Sequence, residues 1–196
     1  MILATNNQGK VTEIRELLAR LDLQVYSPAD LGLTLDIVED GQSYAENASK
    51  KAVAFARVSR MPALGDDSGL EVDALQGQPG LHSHRFCPIP NASDADRRKF
   101  LLVQLADKPR PWTANFRATV AIASIAGNVK LATGQCKGEI TPEERGNNGF
   151  GYDPIFFIPE IGCSMAELEL HKKNGLSHRG RAVQNAIPFI KEIFGI

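Results

Sequence analysis

The sequence predicts an α/β fold, a mixed β-sheet flanked by helices, from three observations. Strand-like and helical stretches alternate along the chain. ANFRATVAIAS and NVKLATGQCKG flank Gly127 and Asn128, the pattern of an antiparallel hairpin. Val11, Ile14, Leu17, Leu18 and Leu21 recur at helical spacing between two strand-like segments. With 196 residues, 43% hydrophobic and 23% charged, the chain is too apolar for disorder and fits one domain over 1–196, or two lobes sharing a core. Its 22 Lys and Arg against 23 Asp and Glu leave a net charge of −1, which argues against a dedicated nucleic-acid or anionic-membrane surface.

In order, ILAT opens the chain as a strand and NNQG turns it into the first helix. QVYS is a short apolar segment, and TLDIVED alternates like a half-buried strand. Ser43 and Glu46 have capping-box spacing, starting a helix to about Arg60 that Pro62 ends. ALGDDSG reads as a buried strand spilling into an acidic turn, and LEVDAL as a further strand. A helix is expected from Ser93 to about Ala106, ahead of the hairpin. GNNGFGYDP is a glycine-rich loop before the apolar IFFI. Ser164 and Glu167 start a short helix, and a last helix runs from about Arg179 to Phe194, with Pro188 expected to bend it.

Four segments carry residues suited to chemistry. Thr5, Asn6, Asn7, Gln8, Gly9 and Lys10 form a strand–turn–helix junction, where backbone N–H groups and the helix dipole favour phosphate. Lys10 opposes that dipole, a conflict that a bound anion resolves. Glu39 and Asp40, with Asp66 and Asp67, form an acidic set; adjacent aspartates repel unless cations compensate, and their hard oxygens suit Mg²⁺. Gly149 and Gly151 on either side of Phe150 let backbone approach a flat ligand while the ring stacks on it. KKNGLSHRG clusters Lys173, His178 and Arg179 in a loop before a helix. Other signals are weak. Cys87, Cys136 and Cys163 are scattered, as buried thiols of a reducing compartment are, and His82 and His84 have no partners to complete a zinc site. MILATNNQGK shows no secretory pattern, and no apolar run reaches membrane-spanning length, so the expected location is cytoplasmic.

The ordered set TNNQGK, DDSGL, GFGYDPIF and SHRG resembles the inosine triphosphate pyrophosphatase family, from Ile2 to about Phe194. The resemblance implies two lobes around a long mixed sheet with a nucleotide cleft between them. It also implies hydrolysis of ITP, dITP and XTP to monophosphate and pyrophosphate, with Mg²⁺, by a homodimer. The family's phosphate segment falls on Thr5 to Lys10, and a further lysine on Lys51. Its metal ligand and base fall on Asp67, with Asp66 and Glu39 as acidic neighbours and Ser68 on the substrate. Base recognition falls on Phe150, Gly151, Tyr152, Asp153, Lys173, His178 and Arg179. Two departures stand out: Gly65 where an alanine is usual, expected only to loosen the strand end, and His84 within Ser83-His84-Arg85, so that no role is carried to Arg85.

Overall fold

The computed structural model describes residues 1–196. Strands β1 (Ile2–Leu3), β2 (Ala63–Val72), β3 (Trp112–Ala123), β4 (Val129–Ile140), β5 (Phe156–Ile158) and β6 (Cys163–Ser164) form one six-stranded sheet in that order. β1 runs parallel to β2, pairing Ile2 with Ala63 and Leu3 with Leu64, whereas β4–β5 and β5–β6 are antiparallel. The sheet is therefore mixed, as the alternation of elements predicts. The helices are α1 (Gln8–Leu18), α2 (Tyr44–Ser59), α3 (Asp94–Leu105), α4 (Leu170–Leu176) and α5 (His178–Phe194). No helix is long and apolar enough to cross a membrane.

The chain divides into two compact units. The first comprises residues 1–67, 118–134 and 178–196; the second comprises 68–117 and 135–177. Within the first unit, strand alternation separates two cores. Leu3, Leu64, Val120 and Ile122 pack with Val11, Ile14 and Leu18 of α1 and Ala182, Val183 and Ile190 of α5. Ile2, Ala63, Ala121 and Ala123 pack with Ala48, Ala52, Phe55 and Ala56 of α2. Successive strand side chains point to opposite faces, so Leu3, Leu64, Val120 and Ile122 meet α1 and α5 while Ile2, Ala63, Ala121 and Ala123 meet α2. The second unit has its own core, in which Leu70, Val72, Phe116 and Phe156 pack with Leu101 and Leu105 of α3.

Several sequence expectations are corrected. TLDIVED forms no strand, yet its alternation is real: Leu35 and Ile37, like Leu33 just before it, pack against the α2 core from a segment with no ladder. ALGDDSG and LEV are one strand, β2, so Asp66 and Asp67 are strand residues and not turn residues. Ser43 caps α2 by accepting the Glu46 N–H (3.2 Å), but the Glu46 carboxylate takes the N–H of Gln42 (2.9 Å), leaving half a capping box. The box at Ser164 is complete, though it opens only the 3₁₀ turn Met165–Glu167. Lys173 lies on α4, not in a loop, and α5 begins at His178 and continues through Pro188. Gly65 does more than loosen a strand end. A Cβ there would lie 2.2 Å from the Ala48 carbonyl and 2.9 Å from the Ala52 nitrogen, so the missing side chain lets α2 sit against β2.

Candidate active site

The first unit gathers an unusual number of buried charges around β2. At the entry to α1, the Asn7 side chain accepts the Lys10 N–H at 3.0 Å, and the Thr5 hydroxyl accepts the Asn7 N–H at 3.2 Å. Asn6, Asn7 and Gln8 are exposed, and Gly9 and Lys10 half-buried. The Lys10 ammonium reaches across to Asp66, 2.6 Å from Oδ2. The conflict between Lys10 and the helix dipole is thus answered inside the chain, with Asp66 as the anion. Burial lowers the proton affinity of Lys10 against the pull of Asp66, and Arg179 and Lys51 lower it further.

Asp66 has a second cationic partner. Arg179, in the first turn of α5, directs Nε to Oδ1 (3.3 Å) and Nη2 to Oδ2 (3.4 Å), and its Nη1 donates to Glu13 at 2.6 Å. Arg179 and Glu13 are each only 2% exposed. Gly134 makes room for this helix start, because a Cβ there would lie 2.2 Å from the His178 carbonyl and 2.4 Å from the Ala182 nitrogen. Burial alone would raise the Asp66 carboxyl, but Arg179 and Lys10 hold it well below the ordinary carboxylate range.

Asp67 faces the other side of β2, toward α2. Its Oδ1 accepts from the Lys51 ammonium at 3.2 Å and its Oδ2 from the Asn47 amide at 3.1 Å. Lys51 also donates to Glu39 at 3.0 Å. Burial raises the Asp67 carboxyl above its ordinary value, only partly offset by Lys51 and Lys10, and Glu39 adds to the rise. Burial pulls Lys51 down, but Asp67 and Glu39 outweigh it and the net shift is upward. The neighbouring aspartates therefore differ in kind: Asp66 is locked as an anion, while Asp67 binds a proton more readily than a solvated aspartate.

No three His, Cys, Asp or Glu side chains converge into a preformed metal site. Asp66 has both oxygens engaged by Arg179 and Lys10, apart from Glu39 and Asp67, which converge on Lys51. Two carboxylates at one point nevertheless fit Mg²⁺, which takes one or two protein carboxylates and completes its shell with water and substrate phosphates.

The second unit holds the other candidates. Asp153 is the hub of its glycine-rich loop: Oδ2 accepts the Phe150 N–H at 2.8 Å and the Lys173 ammonium at 2.5 Å. Lys173 and Asp153 are 2% and 3% exposed. The Lys173 ammonium also lies 5.0 Å from the centre of the half-buried Phe150 ring, a cation–π contact. Gly149 has φ of +74°, and a Cβ there would lie 2.1 Å from Asp153 Oδ2, so no other residue fits. Gly151 is likewise left-handed at φ of +61°. Tyr152 is buried, with its hydroxyl donating to the Ser83 carbonyl at 2.8 Å, and burial raises the phenol. Ser68 is half-buried in β2.

Of the expected site residues, Lys10, Asp66 and Arg179 meet in one ion-paired group, and Lys51, Glu39 and Asp67 in a second on the other face of β2. Phe150, Asp153 and Lys173 meet in another. His178 is buried at the start of α5 and belongs with Arg179 to the first unit. Glu13 and Asn47 are not among the site residues expected from the sequence. Glu13 stands between Thr12 and Ile14 on α1, and nothing in that local pattern marks this acid as buried. Asn47 stands inside the AENASKK segment that pointed to Lys51.

Two buried aspartates on β2, one countered by Lys10 in the first turn of α1 and the other by Lys51 midway along α2, mark a protein suited to a phosphate-bearing ligand. Residues 1–189 match the Ham1 family, and the chain belongs to it. A protein of Desulforamulus reducens named dITP/XTP pyrophosphatase is 43% identical over 194 residues, covering 99% of this chain and 96% of the relative. The structure of a HAM1 protein from Coxiella burnetii superposes with a TM-score of 0.86 at 37% identity, covering 97% of this chain and 98% of the other. The Staphylococcus aureus Ham1 protein gives 0.84 at 34% identity, with 97% of each chain covered. The resemblance read from the four motifs and the mixed, helix-flanked sheet are both upheld.

Proposed function

We propose that this chain is a Mg²⁺-dependent, cytoplasmic homodimer that hydrolyses ITP, dITP and XTP to the nucleoside monophosphate and pyrophosphate, with residues 1–196 acting as one catalytic domain. The supporting observation is the paired arrangement on β2, with Lys10 at 2.6 Å from Asp66 and Lys51 at 3.2 Å from Asp67. The names of the relatives support the reaction class; the homodimer and the location rest on the family resemblance. Two lysines and the start of α1, over Thr5 to Lys10, neutralise a triphosphate. On binding, the phosphates compete with Asp66 and Asp67 for those ammonium groups, which frees Asp67 to act on water.

Asp67 is the general base. Its raised proton affinity strengthens it as an acceptor, and the Asn47 amide holds its Oδ2 once Lys51 turns to the phosphates. Glu39 and Asp67 would hold Mg²⁺, which would supply charge neutralisation and Lewis-acid activation at the α-phosphorus. Asp66 serves differently: it is the counter-charge that presents Lys10. Attack at the α-phosphorus makes pyrophosphate the leaving group.

Phe150 offers a face to the purine and Lys173 a donor to the carbonyl at C6, which hypoxanthine and xanthine carry and adenine lacks. Ser68 contacts the substrate, the open side of Gly151 lets the base lie against the loop, and His178 is a donor of the same kind as Lys173. Tyr152 anchors the loop through Ser83. Arg179, expected among the base readers, has each guanidinium nitrogen on Asp66 or Glu13. We assign it to holding Asp66.

The test is product analysis over a panel of purine triphosphates, with Mg²⁺ and with a chelator. Pyrophosphate from ITP, dITP and XTP in excess over ATP, lost with chelator, is expected. Metal-independent turnover, or none, overturns the reading.

A further inference from the structure

We propose that Asp94 and Arg98 are positioning residues for base recognition, one face of α3 gripping the backbone of Gly151 and thereby setting the Phe150 ring. This rests on the reading above that Phe150 faces the purine. Asp94 and Arg98 stand four residues apart, so they project from the same side of α3, one turn from each other. That spacing matches the two polar groups of a single residue in the loop. The Gly151 N–H donates to Asp94 Oδ2 at 2.8 Å, and Arg98 Nη1 donates to the Gly151 carbonyl at 2.9 Å.

Both gripping side chains are themselves held. Glu144 accepts from Arg98 Nε at 2.8 Å and from Nη2 at 2.9 Å, a bidentate pair that fixes the guanidinium plane. Arg97 donates to Asp94 Oδ1 at 2.6 Å, and its Nε to the His84 carbonyl at 2.7 Å. Immediately before Gly151, the Phe150 N–H is held by Asp153 at 2.8 Å. Three of the four backbone polar groups of Phe150 and Gly151 are thus bonded to charged side chains, in a stretch whose glycines would otherwise leave it conformationally free. Gly151 itself has open space where a Cβ would stand, so neighbouring bulk does not hold it in place. The bonds to α3 do. A ring on such a mount meets the purine in one orientation, whereas a ring on a free glycine loop spreads its contacts over many.

The consequence falls on recognition of the base, not on the chemistry at phosphorus. Arg98→Ala should raise KM for ITP by about tenfold or more, the scale on which misplacing a substrate-positioning group acts, with kcat within about twofold. The ITP-to-ATP ratio of kcat/KM should contract. Arg98→Lys, which keeps one donor for the Gly151 carbonyl, should recover part of both effects. Glu144→Gln should produce the same shifts in smaller measure, and it carries the comparison if Arg98→Ala does not fold. Variants with unchanged KM and an unchanged ratio, whether or not they melt earlier, overturn the proposal while leaving the enzyme reading standing. A wild-type protein that releases no pyrophosphate from any purine triphosphate takes away the reading itself, and the proposal with it.

Discussion

The two faces of β2 differ more than the side-by-side aspartates in the sequence suggest. Toward α1 and α5, where Leu64 lies, Asp66 is met by Lys10 and Arg179. Toward α2, where Ala63 and Gly65 lie, Asp67 meets Lys51 and the neutral amide of Asn47. One face gives its carboxylate two full cations and locks the proton off; the other gives it one cation, shared with Glu39, and leaves proton affinity above normal. Adjacent residues on a strand point apart, so one dipeptide provides both a fixed counter-charge and a titratable base.

The sharpest break in this comparison is Asp67→Asn. The change is nearly isosteric but removes the base, so kcat should fall ~10²–10⁴-fold with the fold intact. Steady-state kinetics on protein with a wild-type circular dichroism spectrum checks it, and wild-type turnover would return the base role to another group. Next comes Arg179→Ala, which takes the guanidinium from Glu13 and leaves Asp66 to Lys10. Removing one partner of a buried pair costs about 3–5 kcal/mol, readable as a lower denaturation midpoint. Turnover of ITP and ATP should fall together; a narrowed ITP-to-ATP ratio with stability unchanged would make Arg179 a base reader after all.

On the α2 face, Gly65→Ala should cost about 1–3 kcal/mol by forcing α2 away from β2. Lys51 and Asn47 ride on α2, so kcat should drop as well, and an unchanged melting temperature would show that the helix gives way easily. The smallest effect is a matter of pH. Asp66 is held below its unfolded value of about 4, so its stabilisation is present above that pH and drains away as pH falls toward the folded value. Asp67 has the opposite sign: its folded value is raised, so its contribution is greatest at low pH and is lost as pH rises through that value. Asp66→Asn should therefore flatten the acid limb of a stability-against-pH curve. Asp67→Asn should leave that limb in place.

Much of this was legible in the residues themselves. Val11, Ile14 and Leu18 announced α1, and the Gly127–Asn128 turn announced the hairpin, because period and turn chemistry are local. Ser124 closes that turn by donating its N–H to the Asn128 carbonyl at 2.9 Å. TLDIVED misled because alternation reports burial on one side, and burial does not require a sheet partner. DDSG misled because its residue types favour turns, while the cations that let it stay extended come from Lys10 and Arg179, 56 and 113 residues away. The same distance in sequence hid Glu13 and the grip of Asp94 and Arg98 on Gly151. The role of Gly65 was hidden for another reason: closeness to α2 is a property of the packed helix, not of the strand.

The central claim is that Asp66 and Asp67 of β2, with Lys10 of α1 and Lys51 of α2, serve attack at the α-phosphorus. It is tested most directly by identifying the first products formed from ITP and Mg²⁺. The account predicts inosine monophosphate and pyrophosphate in equal amounts from the first turnover, with no diphosphate. Inosine diphosphate and orthophosphate as first products would contradict it.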